Sequence, residues 1–162
     1  MKQARLLQVK SKIADMGFQV HSEDLDRPWG GFFVIDPSHT DIFIDRFFPE
    51  HKERLAKGGQ VSPKFLVVEP GKRLSWQVHE RRAEVWRVVE GPVGAFVSES
   101  DEHPESHIHL EVSEVLEMGQ GIRHRLIGLE DWGVVAEIWV HTDENLLSDE
   151  DDIRRISDDF KR

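Results

Sequence analysis

The 162-residue sequence contains no cysteine. A disulfide framework, a thiolate zinc site and a thiol nucleophile are therefore excluded. Positive charge is also scarce, because 21 lysines and arginines stand against 31 acidic residues, for a formal net charge of −10. A surface with this excess of negative charge repels nucleic acid and anionic lipid. We therefore expect neither as a partner.

Long apolar runs are missing as well. The N-terminal segment MKQARLLQVKSKIADMG has charges scattered through it, so it predicts neither a signal peptide nor a membrane anchor. We expect a cytoplasmic protein, and its length fits one ordinary domain.

Apolar residues at helical spacing, ended by a glycine, predict an amphipathic helix within a helical extension over residues 1–26. From Lys64 onward, short β-rich runs alternate with glycine and proline, which is typical of an antiparallel sandwich or barrel. Ser148 and Asp151 form a capping-box pattern that predicts a short C-terminal helix. The sequence thus indicates an all-β domain with a short helix at each end.

The segment LSWQVHERRAEVW, residues 74–86, concentrates side chains that can bind a metal ion. Gln77 and His79 are two residues apart on one predicted strand, so their side chains face the same way. Glu84 begins the next predicted strand, and His124 follows a Gly-rich turn further along the chain. Two imidazoles, a carboxylate and an amide oxygen suit zinc, iron, manganese, cobalt or nickel. The alternative is the polar face of an ordinary strand pair.

The stretch GKRLSWQVHERR is a basic island in an acidic chain. It is either a solvated strand surface or the wall of a pocket for an anionic small molecule, and charge alone does not decide between them.

Several motifs carry a resemblance to a known family. Residues 71–91 resemble the first cupin motif, with Gln77 in place of its first histidine, and GQGIRHRLIG resembles the second, with His124 as its histidine. The segments RPWGGF, PGKRLSWQVHERRAEVW, HRL, AEIWV and EDDIRRISDDFKR together resemble the type II mannose-6-phosphate isomerase domain. The resemblance implies an antiparallel jelly-roll (cupin) barrel as a single domain over residues 27–162.

The function implied by the resemblance is the interconversion of mannose 6-phosphate and fructose 6-phosphate. One divalent ion is then expected, with zinc as the first choice and manganese, cobalt, nickel or iron as alternatives. Its ligands would be Gln77, His79, Glu84 and His124. Cupins often pair through strand edges, so a homodimer is expected.

Other residues receive roles from the same resemblance and from their chemistry. Arg82 matches an arginine that the family uses in catalysis. Glu137 lies in an apolar run, where a buried carboxylate needs a partner, and it is the candidate base. The candidates for holding the sugar phosphate are Lys64, Arg73 and Arg125, for each of which an exposed strand charge is the alternative.

The chain departs from the family at Phe65, where an arginine is often found, and at Val85, where a histidine is usual. Both departures are expected to alter substrate contacts. Two further functions stay open: a cupin that binds a sugar or sugar phosphate without turnover, and a cupin enzyme of another type, such as an epimerase or a dioxygenase. Fold alone does not separate them.

Overall fold

The computed structural model describes residues 1–57 and 61–161. Its helices are α1 (Lys2–Asp15), α2 (Thr40–Phe47) and α3 (Lys52–Lys57). Its strands are β1 (Val20–Asp24), β2 (Gly30–Ile35), β3 (Val61–Val68), β4 (Trp76–Val78), β5 (Arg82–Glu90), β6 (Val93–Ser98), β7 (Ile108–Leu110), β8 (Val115–Met118), β9 (Arg123–Gly128), β10 (Gly133–His141) and β11 (Arg154–Ser157). In the described part of the chain, no helix is long and apolar enough to cross a membrane.

The strands form two antiparallel sheets. A six-stranded sheet has the order β1-β2-β3-β10-β5-β8, and a five-stranded sheet has the order β11-β4-β9-β6-β7. The non-sequential order means that the chain crosses repeatedly between the sheets. The prediction of an antiparallel all-β domain is confirmed.

Side-chain alternation along the strands divides the interior into two apolar clusters. On β3, Phe65 and Val67 belong to one cluster, whereas Leu66 and Val68 belong to the other. The first cluster lies beneath the helices, where α1 buries Leu6 among its apolar residues. The second combines residues of both sheets and so fills the space between them. Because successive strand residues face opposite sides, the near-continuous apolar run of β3 serves both clusters.

A close backbone approach at Gly30 joins β2 to β3. The residue has a φ of +151°, and a Cβ built there would lie 1.9 Å from the carbonyl oxygen of Val67. Only glycine tolerates both conditions. Gly30, the first glycine of the RPWGG motif, is therefore required by the close contact between the two strands.

The two chain ends were predicted as helical, and only the first is. Helix α1 is present, and β1 after it pairs with β2, so residues 20–24 belong to the large sheet. The division at residue 26 stays a prediction. The predicted C-terminal helix is wrong, because β11 pairs there with β4. The Ser148 hydroxyl does not cap a helix but donates to Asp152 Oδ2 at 2.6 Å.

Candidate metal centre

Three buried side chains from separate strands meet between the two sheets. His79 directly follows β4, Glu84 lies on β5 and His124 lies on β9. The Nε2 atom of His79 is 3.3 Å from Glu84 Oε1, and that of His124 is 3.2 Å from Glu84 Oε2. The candidate ligand atoms all lie within 4.8 Å of one another, so the three residues can hold a metal ion.

Gln77 joins this group because it pairs in register with His124 across β4 and β9. Its Nε2 atom lies 3.3 Å from His79 Nε2 and 3.4 Å from His124 Nε2, and its Oε1 accepts from the Ser75 hydroxyl at 2.7 Å. A rotation of the amide by 180° would turn Oε1 toward the imidazoles. The Ser75 hydroxyl, which can donate or accept, would keep its bond. Gln77 can thus supply the fourth ligand.

Hydrogen bonds set both histidines in the tautomer that a metal requires. His79 Nδ1 donates to the carbonyl oxygen of Asp152 at 2.6 Å, and His124 Nδ1 donates to that of Ile122 at 3.1 Å. Each Nε2 is therefore the ring nitrogen that faces Glu84 and Gln77, and it is free to bind a metal when the ring is neutral. Metal-binding histidines generally have such a partner on the other ring nitrogen.

The spacing of these atoms also fits a metal ion. Two ligands, each about 2.1 Å from one tetrahedral ion, lie about 3.4 Å apart. The Nε2–carboxylate distances are 3.3 and 3.2 Å, close to that value. Donor chemistry, tautomers and spacing agree, so the residues present fit a divalent metal.

Protonation of the three residues is strongly coupled. Burial lowers the pKa of His79 to about 4, so this ring is neutral at pH 7. Burial also acts to lower the pKa of His124, but the Glu84 carboxylate outweighs it and the net shift is upward. Burial acts to raise the pKa of Glu84, but His124, Arg82 and His79 hold it well below its usual range. These shifts favour the neutral His79 ring and the ionised Glu84 carboxylate, which are the forms that bind metal, whereas any proton held on His124 Nε2 must leave when a metal binds.

Arg82, the predicted catalytic arginine, lies at this site. Its guanidinium donates to Glu84 Oε1 at 2.9 Å and to His79 Nε2 at 3.1 Å, and it lies 3.5 Å from the centre of the Trp139 ring. It also donates to the Ser148 hydroxyl and to the carbonyl of Asp149, both at 3.0 Å. This fixed, buried cation can face an anionic group bound at the centre.

Glu137, the predicted base, is buried nearby. Its oxygens accept from the indole N–H groups of Trp86 at 2.8 Å and Trp139 at 2.7 Å. Burial, together with the neighbouring Glu84 charge, raises the pKa of Glu137 to about 7. The carboxyl group can therefore gain or release a proton near neutrality.

The connection between β10 and β11 holds the site from the side. Asp152 accepts from the backbone N–H groups of Glu80 and Arg81, both at 3.0 Å, in addition to the Ser148 hydroxyl. Its own carbonyl receives the His79 N–H. Ser148 and Asp152 are both buried. This connection thereby positions His79 and Arg82.

A cavity of about 80 Å³ reaches from the surface to Gln77, Glu84 and His124. Lys64, a predicted contact for the sugar phosphate, lines it. Arg73 and Arg125 do not line it, so their assignment to the sugar phosphate stays a prediction that the position of this cavity does not support. Arg125 follows His124 on a strand, so its side chain faces the other way.

These two arginines have other partners. Arg125 donates to the carbonyls of Leu74 and Ser157. Arg73 pairs with Asp159 at the surface. Their role is to tie the C-terminal segment to the five-stranded sheet.

Sequence reasoning missed three charged residues that line the cavity, namely Arg27, Glu150 and Arg155. Arg27 belongs to the quoted RPWG motif, which was the available signal. Arg155 lies on β11, opposite Gln77. Because the sequence predicted a helix for the C-terminal segment, the pairing of β11 with β4 was not foreseen.

The departures from the family at Phe65 and Val85 do not reach the cavity. Both side chains are buried in the cluster beneath the helices. Glu84 faces the site, so its neighbour Val85 faces away from it. Their position therefore gives no support to the expectation that these two residues alter substrate contacts.

Comparison with known proteins gives one family. The family described as mannose-6-phosphate isomerase C-terminal matches residues 38–158. Alginate biosynthesis protein AlgA of Pseudomonas aeruginosa is 33% identical over 92 residues, which covers 54% of this chain and 15% of that protein. The chain thus matches a small part of that relative.

Solved structures show the same fold at low identity. Oxalate decarboxylase from Bacillus subtilis superposes with a TM-score of 0.59 at 11% identity, over 85% of this chain and 30% of that one. KdgF from Halomonas sp. gives 0.52 at 13% identity, over 77% and 91%. These are cupins, so the predicted jelly-roll architecture is confirmed.

Proposed function

This chain belongs to the mannose-6-phosphate isomerase C-terminal family, and from that premise we propose that it is a metal-dependent sugar-phosphate isomerase. The reaction proposed is the interconversion of mannose 6-phosphate and fructose 6-phosphate. The observation that supports it most is the convergence of His79, Glu84 and His124. Glu84 and His124 line a cavity that is also lined by four cationic side chains, those of Arg27, Lys64, Arg82 and Arg155.

An aldose–ketose interconversion moves a proton between neighbouring carbons through an enediol, and it needs a base and a group that stabilises charge on oxygen. A divalent ion, when bound, would polarise the sugar carbonyl. We assign its binding to Gln77, His79, Glu84 and His124. Zinc is the proposed ion because a mixed nitrogen and oxygen set with tetrahedral spacing suits it.

Two buried groups would act on the sugar. The Glu137 carboxyl, with its pKa raised to about 7 by burial and by Glu84, would take the proton from one carbon and return it to the next. The Arg82 guanidinium would stabilise negative charge on the sugar oxygens. Tight packing against Trp139 keeps both groups in place.

A second candidate is a cupin that binds a sugar phosphate without turnover. The observation in its favour is that both Glu137 oxygens already accept indole N–H groups. A carboxylate satisfied in this way can serve as a structural anchor for Trp86 and Trp139.

A cytoplasmic homodimer that pairs through sheet edges remains part of the proposal.

The test is a coupled assay of mannose 6-phosphate turnover, with and without added zinc, manganese, cobalt, nickel or iron. The proposal expects turnover that a chelator abolishes and metal restores. Arg82→Ala should lose activity, whereas Arg81→Ala, a change at the partly exposed neighbouring arginine, should keep most of it. Binding of the sugar phosphate without turnover under every metal would establish the second candidate instead.

A further inference from the structure

Lys64 is a cation buried in the cavity wall. Its side chain is 7% exposed, and its ammonium group lies 3.9 Å from the centre of the Phe32 ring and 4.7 Å from that of Trp139. Glu137 stands opposite it on β10, but the oxygens of Glu137 accept the indole N–H groups. A buried ammonium requires hydrogen-bond acceptors, so the acceptor that Lys64 does use is informative.

That acceptor is Glu150, whose Oε1 lies 2.7 Å from Lys64 Nζ. The Glu150 side chain is 54% exposed and lines the same cavity. The buried anchors Ser148 and Asp152 lie on either side of it in the chain. The backbone is therefore held, while the carboxylate can leave Lys64 by side-chain rotation into water. An exposed carboxylate gains little from such a pair.

Further cations lie beside this pair. The guanidinium of Arg27 lies 5.3 Å from the centre of the same Phe32 ring that Lys64 contacts. Arg82 and Lys64 likewise share the Trp139 ring. Cations and aromatic rings thus alternate along the cavity wall, from Arg27 to the Arg82 guanidinium at the metal centre.

We propose that Lys64, together with Arg27 and Arg155, forms the subsite for the phosphate group of the substrate, and that Glu150 occupies this subsite until the phosphate displaces it. The inference deepens the proposed function and rests on it for the identity of the phosphorylated sugar. A phosphate group offers more acceptor oxygens and more charge than a carboxylate. The carboxylate of Glu150 stands where one phosphate oxygen would bind.

This arrangement makes Glu150 a determinant of specificity. A ligand must replace the hydrogen bond between Glu150 and Lys64. A charged phosphate competes with the carboxylate for Lys64 far better than a neutral sugar hydroxyl does. Displacement costs part of the binding free energy, so removal of Glu150 should tighten phosphate binding. The gain must depend on Lys64, because Lys64 is the group released.

The test is isothermal titration of inorganic phosphate, mannose 6-phosphate and mannose into the full chain, with a chelator present for mannose 6-phosphate so that turnover adds no heat. Glu150→Gln should tighten phosphate binding about threefold. Lys64→Gln should weaken it more than about tenfold. In the double variant Glu150→Gln, Lys64→Gln, phosphate should bind no more tightly than it does in Lys64→Gln alone. Glu144→Gln removes the same charge from an exposed position on the same connection and should change nothing.

Unchanged or weaker phosphate binding by Glu150→Gln would overturn the proposal, as would an equal gain in the Lys64→Gln background. Thermal melts of each variant identify any that fails to fold, and Lys64→Met, which keeps the apolar stem, then replaces Lys64→Gln. Phosphate binding as expected without isomerisation would refute the proposed function alone. Isomerisation with no effect of Glu150 or Lys64 would refute the subsite alone.

Discussion

Asp152→Ala is the substitution that most directly tests how the fold holds the candidate metal centre. The carboxylate accepts two backbone N–H groups at 3.0 Å, from Glu80 and Arg81, and the Ser148 hydroxyl at 2.6 Å. The same residue's carbonyl accepts the Nδ1–H of His79. The side chain thus fixes the position of the carbonyl that orients His79, a candidate metal ligand.

The magnitude of the effect follows from these contacts. A hydrogen bond to a charged acceptor contributes about 1.5–3 kcal/mol to stability. The three bonds share one carboxylate, and water can replace part of them, so we expect a loss of about 3 kcal/mol in the free energy of unfolding. Loss of such an outer contact to a ligand typically weakens metal binding about 10- to 100-fold.

Urea unfolding measures the free energy of unfolding, and titration with zinc measures the affinity for the metal. Asp151→Ala, a change at the exposed neighbouring acid, is the matched control and should leave both nearly unchanged. Asp152→Asn keeps the shape and one acceptor oxygen, so it should lie between the alanine variant and the unaltered protein. An Asp152→Ala protein with unchanged stability and zinc affinity would refute the positioning role.

Two further predictions concern stability. Gly30→Ala should reduce the free energy of unfolding by more than about 2 kcal/mol, whereas Gly119→Ala, where a Cβ meets nothing within 4 Å, should be nearly neutral in the same urea experiment. Hydrogen bonds from Arg154 and Arg123 lower the pKa of Asp101 from 3.8 to about 2. The stabilisation by this carboxylate is therefore present above pH 4 and lost as the pH falls toward 2, so thermal melts should show Asp101→Asn less stable at pH 7 and equal near pH 2.

The convergence of the candidate metal ligands could be predicted in part from the sequence, because strand periodicity sets which side chains share a face. Gln77 and His79 face one side because they are two residues apart, and the pairing of Gln77 with His124 brings the third ligand into register. The same alternation argues against Arg125, which follows His124, and against contact of Val85 with the substrate, since Val85 follows Glu84. Consistent use of the rule would have removed both predictions.

The C-terminal strand and the charged residues that it brings to the cavity depend on contacts between residues distant in sequence. Ser148 matches a helix-capping pattern, but its hydroxyl bonds to Asp152 and accepts from Arg82. Residues 154–157 form a strand that pairs with β4, and this pairing places Arg155 at the cavity. The local sequence pattern does not reveal such distant partners. Neither this strand nor the contact of Glu150 with Lys64 could therefore be derived from the pattern of residues alone.

Metal content tests the central claim most directly. Elemental analysis after incubation with zinc and dialysis should find about one ion per chain in the unaltered protein. His79→Ala should hold far less, and His109→Ala, a change at an exposed histidine, should hold the full amount. Both variants should retain a cooperative thermal unfolding transition. No bound ion in the unaltered protein, or full metal content in folded His79→Ala, would contradict the assignment of this site as a metal centre.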